Sequence, residues 1–504
     1  MLEYILTNST RKSMLKSIFP LSLVTFLSRI TGFIREFLLY SIFGAGPLLD
    51  VFVMAFRISQ LTRRFFAEGS FSQALLPELA NTQKSNKEAY RKLYHQAFLF
   101  LIICMGFFTL SVIIAPRFWI SFLAPGMMED TSKYNEFVVV LRWIVPYGFF
   151  ISLVSFYALL MQLHHRYLLN GFSPIILNLT IIITLLKGSV TLIGLAQAVF
   201  FAGILQLFVQ YCAGRHYAPF FKKDFALTKE SKPLFVNFMK LSVMGFLILF
   251  NTTIDQIFLT YSHAGSISEY YLCERIIELP LGVIVYSLSV VFSSYYAKDY
   301  QSSIKRVQLE NKAILFIFYF VLPCVVGGYV LAPYLINVFL KNPLSIERTA
   351  ALLKVFVLCI LPITLNKIFV IICTIRGQQN LIIKTHLIGS LVNLTSDYFF
   401  APWSTIGIAT STMLTLFVQL TIFNSYCRLT KRFFKLPKSL FLRAWAALFI
   451  ILAGGLTFDF LQQHMEIAGW TYFMLLISIV SLCGFLYLLA IYRDIKYIYQ
   501  RVAY

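Results

Sequence analysis

Acidic residues are scarce in this chain: 22 Asp and Glu stand among 504 residues against 43 Lys and Arg, and charged residues of both signs make up only 13%. Soluble domains carry roughly 25% charged residues, so a soluble enzyme is excluded. Cysteine is sparse too. Its eight positions (Cys104, Cys212, Cys273, Cys324, Cys359, Cys373, Cys427 and Cys483) lie mostly inside apolar runs, with no C-x-x-C pair among them. That excludes a disulfide framework and a thiolate metal centre, and the cysteines read as small hydrophobes. The patterns G-x-x-x-x-G-K, H-E-x-x-H, G-x-S-x-G and D-D-x-x-D are absent, which removes ATP-driven, zinc-hydrolase and nucleophile-elbow chemistry. His164 and His165 stand together in a short loop without a partner set, which fits a loop or headgroup role better than catalysis.

What is present is apolar. Hydrophobic residues make up 59% of the chain and mean hydropathy is +0.76. The apolar runs are about 20 residues long, the length that spans a bilayer as helix. They are distributed along the whole sequence, giving about fourteen helical spans. The expected fold is therefore an all-α polytopic membrane protein. Arg11, Lys12 and Lys16 precede the first run, but no small-residue cleavage site follows, so that run reads as a retained span.

The excess of positive charge, +21, has two common sources: nucleic-acid binding, or basic cytoplasmic loops. Loop position decides between them. Taking the N-terminus as cytoplasmic, 28 Lys and Arg fall on one side of the spans and five on the other: Arg117, Lys133, Lys187, Lys341 and Arg348. One miscounted span would exchange the two sides for the rest of the chain, so both termini are expected in the cytoplasm. The same asymmetry accounts for the charge without nucleic acid.

Ten basic residues remain inside spans: Arg29, Arg35, Arg57, Arg63, Arg64, Arg142, Lys240, Arg275, Lys354 and Lys367. A charge at mid-bilayer costs about 2.5–3.5 kcal/mol on insertion scales, so such a cluster points to a functional site. Arg57, Arg142, Lys240 and Lys354 lie nearer helix ends, where snorkelling accounts for them. A faint internal repeat relates Arg57–Pro77 to the stretch from Arg275. It suggests an N-terminal lobe over 1–225, a C-terminal lobe over 226–430 and a two-helix element over 431–504. Repeat-built transporters bind their substrates at the repeat interface near the midplane.

Arg29 and Arg35 are six residues apart and so face different sides of an ideal helix, with Gly32 between them as a place to bend. Glu36 is positioned to pair with Arg35 or with a neighbouring helix. Arg64 and Glu68 are spaced to pair along one face, which leaves Arg63 for a ligand. Glu274 and Glu278 flank Arg275 with the same four-residue spacing. Several arginines directed at one intramembrane cavity suit a polyanion such as a diphosphate, because guanidinium forks match phosphate oxygens. A second polar set comprises Asp255, Asn393, Asp397 and the hydroxyls of Thr410 and Thr412. Oxygen donors alone suit sodium or a proton as coupling cation, and no cofactor is implied. The alternative is a hydrogen-bonded polar pocket.

Three blocks, S-R-I-T-G-F-I-R-E (28–36), F-G-A-G-P-L-L-D-V-F (43–52) and R-R-F-F-A-E-G-S-F-S-Q-A-L-L-P (63–77), together with Y-Y-L-C-E-R-I-I-E-L-P-L-G (270–282), resemble the MurJ/MviN lipid II flippase family. That family lies within the multidrug/oligosaccharidyl-lipid/polysaccharide exporter superfamily. The resemblance implies fourteen spans, two six-helix lobes around a cationic cavity, and a groove from spans 13 and 14 for a polyprenyl tail. It implies flipping of undecaprenyl-diphosphate-linked peptidoglycan precursor, lipid II, to the periplasmic leaflet of the inner membrane. The matching positions make Arg29, Arg35, Asp50, Arg63, Arg275 and Glu278 its substrate-site residues. Glu36, Arg64, Glu68 and Glu274 then serve as structural ion-pair partners, and cell-wall synthesis proteins are expected neighbours. Rival readings are another exporter of the superfamily (a polysaccharide flippase or a cation-coupled drug antiporter), a polytopic glycosyl- or acyltransferase, and a non-transporting scaffold. The arginine count argues against a drug antiporter, the shortness of the only acid-rich outside loop, near Glu129 and Asp130, against the transferase, and the intramembrane charges against the scaffold.

Overall fold

The computed structural model describes residues 8–62, 70–164, 166, 168–188, 190–218, 249–298, 303–401, 404–427 and 478. Among them no strand occurs. The helices are α1 (Asn8–Phe43), α2 (Pro47–Thr62), α3 (Ser70–Ser85), α4 (Lys87–Ile114), α5 (Pro116–Leu123), α6 (Thr131–Leu163), α7 (Leu168–Leu185) and α8 (Leu192–Gly214). A helical stretch over 249–259 precedes α9 (Ser266–Pro280), α10 (Tyr286–Lys298), α11 (Ser303–Phe316), α12 (Leu322–Phe339), α13 (Pro343–Ile375), α14 (Gln379–Phe400) and α15 (Thr405–Cys427). Six described helices are long and apolar enough to cross a bilayer: Lys87–Ile114, Thr131–Leu163, Leu192–Tyr217, Tyr319–Phe339, Pro343–Ile375 and Thr405–Tyr426.

The chain divides into two compact units, Met1–Ser268 and Glu269–Tyr504. The lobe limits expected at 225/226 and 430/431 lie outside the described residues. In the first unit, α6 is the hub, packing against α2, α4 and α8, while α1 packs on α7. In the second, α13 has that place, against α10, α12 and α15, with α14 on α15. Both hubs are 33 residues long. Each starts at a side-chain cap: the Asp130 carboxylate accepts from the Ser132 and Lys133 amides, and the Asn342 carbonyl from the Leu344 amide. These caps satisfy amides that a helix start leaves without partners. Each hub also carries an internal proline, Pro146 or Pro362, which removes one ladder hydrogen bond. Neighbouring helices make that loss tolerable in a membrane protein.

The cores are built by aliphatic and aromatic packing. Phe137, Leu141, Ile144 and Tyr147 of α6 are essentially fully buried, as are Leu352, Leu353 and Ile372 of α13. At Gly203 on α8, an added Cβ would lie 3.0 Å from the rings of Tyr147 and Phe150, so the absent side chain lets α8 close on the hub. Two wide π turns, Leu281–Val285 between α9 and α10 and Ile317–Val321 between α11 and α12, interrupt the second unit's helices without breaking the chain direction.

Candidate functional site

In the first unit the site is built on α1. The helix runs unbroken through Gly32, so the expected interruption there is not present. Arg35 and Glu36 are both buried and form an ion pair. The Arg35 guanidinium also donates to the Asn178 side-chain carbonyl on α7 at 2.8 Å. The Asn178 amide in turn donates to the Ser28 carbonyl (3.2 Å) and the Thr31 hydroxyl (3.1 Å). A buried guanidinium with both a carboxylate and an amide oxygen has its desolvation cost offset and its orientation fixed. Arg29 is half-buried and makes no hydrogen bond or ion pair with a described residue. Arg57, expected to snorkel, is instead buried on α2, at 7% exposure. Arg142 is exposed and donates to the Ile113 carbonyl at 3.3 Å, closing the last turn of α4. Arg63, Arg64, Glu68 and Lys240 lie outside the described residues.

Asp50 sits in the first turn of α2 and is buried. Its two oxygens accept from the Gly265 amide (2.6 Å) and the Ser268 amide (2.8 Å), so it caps the start of α9 from another helix. Tyr40 donates to the Ser268 carbonyl at 2.6 Å beside it. Gly265 has φ +97°, and a Cβ there would lie 2.8 Å from the Ala45 carbonyl oxygen, so the clasp requires glycine on two counts. This geometry gives Asp50 a fastening role.

In the second unit the Arg275 guanidinium pairs with Glu278 at 2.5 Å and lies 4.7 Å from the Tyr271 ring centroid. Arg275 thus pairs with the carboxylate three residues on, while Glu274 is half-buried one position before it. Lys354 and Lys367 both lie over tyrosine rings, Tyr329 at 5.4 Å and Tyr286 at 3.6 Å. Desolvated cations over ring faces gain from the aromatic quadrupole.

The second polar set gathers on α14 and α15. Asp397 and Asn393 are buried one helical turn apart on α14. The α15 hydroxyl facing them is that of Ser411: it contacts Ser396 at 2.5 Å, accepts from the Asn393 amide at 3.4 Å and donates to the Asn393 carbonyl at 3.2 Å. Thr410 donates to the Gly407 carbonyl and Thr412 to the Ile408 carbonyl, each on its own helix. Asp255, on the stretch 249–259, is also buried. Among the described residues no group of three or more His, Cys, Asp or Glu comes together. The side chains that meet between α14 and α15 thus include those of Asn393, Ser396 and Ser411.

Sequence reasoning missed a third cluster. The Glu310 carboxylate, on α11, accepts from the Tyr296 hydroxyl at 2.9 Å and pairs with Arg376 at 3.2 Å, while Arg376 also donates to the Tyr296 oxygen at 3.0 Å. Burial, and then the adjacent Glu310 charge, push the Tyr296 phenol up to about 12. Tyr296 therefore remains a donor through the physiological range.

A family model described as lipid II flippase MurJ matches residues 39–480. The chain belongs to the MurJ family. Among relatives in this family, a protein from Buchnera aphidicola subsp. Acyrthosiphon pisum named "Probable lipid II flippase MurJ" is 32% identical over 320 residues, 60% of each chain. A same-named protein from Buchnera aphidicola subsp. Baizongia pistaciae is 27% identical over 504 residues, 94% of each chain. The matched region thus spans about 60% of the first relative's length and nearly all of the second's. In fold, the chain is similar to a solved structure titled "Lipid II flippase MurJ, inward closed conformation". The TM-score is 0.78 at 20% identity, covering 94% of this chain and 99% of that one. It also resembles an inward-facing multidrug resistance MATE family transporter of the MOP superfamily, with a TM-score of 0.62 at 13% identity, covering 80% and 96%. Among its described residues the chain is all-helical, and its fold is similar to both solved structures.

Proposed function

We propose that this chain is a transporter rather than an enzyme, and that it moves lipid II across the bacterial inner membrane by alternating access. The observation that carries the reading is membership of the MurJ family over residues 39–480. The relatives' names supply the substrate, and the arginines supply chemistry that suits it. In the first unit, Arg29 and Arg35 are the cations assigned to the diphosphate, with Asn178 and Glu36 orienting Arg35. In the second unit, that cation is Arg275, steadied by Glu278 and Tyr271. Arg63 takes the same role on sequence grounds. Guanidinium forks bind phosphate oxygens through paired, charge-assisted hydrogen bonds.

About fourteen spans, two lobes and a C-terminal two-helix element for the lipid tail complete this reading, with both termini in the cytoplasm. Moving charge through the membrane potential is worth about 2.3 kcal/mol per elementary charge per 100 mV. An inside-negative potential therefore assists export of an anionic headgroup and re-entry of a cation. Asn393, Asp397 and Ser411 are the oxygen donors assigned to that cation, sodium or a proton.

The test is complementation of a strain depleted of its own lipid II flippase, with wild type, Arg35→Ala and Arg275→Ala checked for membrane insertion. Rescue by wild type and failure of both variants is the expected result. Rescue by both inserted variants would remove the arginines from the site. If the inserted wild type fails to rescue, lipid II translocation in reconstituted vesicles decides: no movement there would overturn the flippase reading in favour of another exporter activity.

A further inference from the structure

The connection from α4 to the α6 hub contains a short helix that the transport reading does not use. α5, Pro116–Leu123, has two apolar faces. One is internal: Pro116, Ile120 and Leu123 are buried, Trp119 stacks edge-on to Phe108 with centroids 4.8 Å apart, and its indole donates to the Ser111 hydroxyl at 3.2 Å. These contacts fix α5 against the end of α4. The other face points away from the unit, with Phe118 and Phe122, one turn apart, 65% and 64% exposed.

Those two rings follow, along the chain, the exposed apolar face of a helix long and apolar enough to cross a membrane. α4 is one of the helices long and apolar enough to span, and Ile103, Phe107, Leu110 and Ile114 form an exposed stripe along it. Their spacing of four, three and four residues places them on one helical face. Phe118 and Phe122 extend that stripe past the helix end at Ala115. Arg117 is exposed beside them, and the Arg142 guanidinium sits on the Ile113 carbonyl one turn earlier. An exposed apolar face with cations at its margin is the arrangement of a helix lying at the headgroup and acyl boundary. Beyond α5, the Gly126 amide donates to the Thr260 hydroxyl at 3.0 Å, so the connection is held at both ends.

We propose that α5 lies in the plane of the membrane surface at the end of the molecule where Arg117 and Lys133 sit, with Phe118 and Phe122 among the acyl chains and Arg117 at the phosphates. The occupant of this face is phospholipid. Continuity with the lipid-facing stripe of α4 selects lipid over a protein partner.

The unmodified chain, reconstituted in phosphatidylethanolamine and phosphatidylglycerol vesicles, is labelled in parallel with hydroxyl radicals and with a diazirine-bearing phospholipid. Mass spectrometry should find Phe118 and Phe122 oxidised about tenfold less than in the denatured chain and labelled by the lipid carbene. Oxidation at the level of the denatured chain would place the face in water and overturn the proposal. Protection without carbene labelling would place a second copy of the chain there, and overturns it equally. Independently, nitroxides at Phe118→Cys and Phe122→Cys, with the native cysteines replaced, should favour oxygen over aqueous nickel as collision partner. A nitroxide at Glu129→Cys should show the reverse, and equal nickel access at all three positions would contradict the proposal.

Discussion

The two units are built on matching hubs and surround them with different side chains. α6 and α13 have the same length, the same kind of capped start and an internal proline each. Yet the first unit buries a cation, Arg35, with Glu36 and Asn178 around it, whereas the second gathers the oxygens of Asn393, Asp397, Ser396 and Ser411. The connections into the hubs differ as well. Residues 115–130 hold α5 and a 3-10 turn, where 340–342 suffice in the second unit. The two hubs thus share length, cap and proline while the side chains around them differ. In the proposed mechanism Arg35 and Arg275 serve the anionic substrate, while the coupling cation draws on the second unit's oxygens.

The comparison breaks most completely at Arg35. Arg35→Ala removes the proposed ligand and the ion-pair partner it gives buried Glu36, at a cost of about 3–5 kcal/mol. Initial rates of lipid II translocation in vesicles should fall on the order of a hundredfold or more, with membrane insertion retained. A drop of less than about threefold would make the pair structural only. Asp397→Asn is the complementary break. Transport should lose its dependence on a sodium or proton gradient while substrate binding persists, as measured by translocation with and without the gradient.

Asn178→Leu sharpens the comparison without deleting a charge. Losing the amide that orients Arg35 should cost about 1–3 kcal/mol, roughly a tenfold loss in kcat/KM. Restoration by Asn178→Gln would identify orientation as its role. At the clasp, Gly265→Ala forces a side chain into a left-handed backbone and against Ala45, costing about 1–3 kcal/mol, read as a lower Tm in detergent.

The smallest effect is at Tyr296→Phe, which removes the hydrogen bond donated to Glu310 and the one accepted from Arg376, at a cost of about 1–2 kcal/mol. Because burial raises the Tyr296 pKa in the folded state, its contribution is complete below pH about 10 and is lost as pH rises towards about 12. Wild type and variant should therefore differ by a constant Tm offset between neutral and mildly alkaline pH.

Much of this architecture is written in residue pattern. Spans of bilayer length, the adjacent Arg35 and Glu36, and the four-residue spacing of Asn393 and Asp397 follow from helical periodicity and the cost of burying charge. Asn178 does not, because one neutral amide in an apolar run carries no signal until α7 is packed on α1. The choice of Ser411 over its neighbours depends on helix phase: a 100° rotation per residue decides which of three consecutive hydroxyls faces α14. The π turns at 281–285 and 317–321 shift phase within apolar segments, where composition does not report it. Glu310 and Arg376 are 66 residues apart, and only the fold brings them together.

The central claim is that a lipid-linked diphosphate is carried by arginines on this scaffold, buried Arg35 first among them. Its most direct measurement is lipid II translocation by the purified chain in vesicles, with Arg35→Ala and Asp397→Asn run beside wild type. The account predicts transport by wild type, loss with Arg35→Ala, and transport without gradient dependence with Asp397→Asn. Undiminished, gradient-dependent transport by both variants would contradict it.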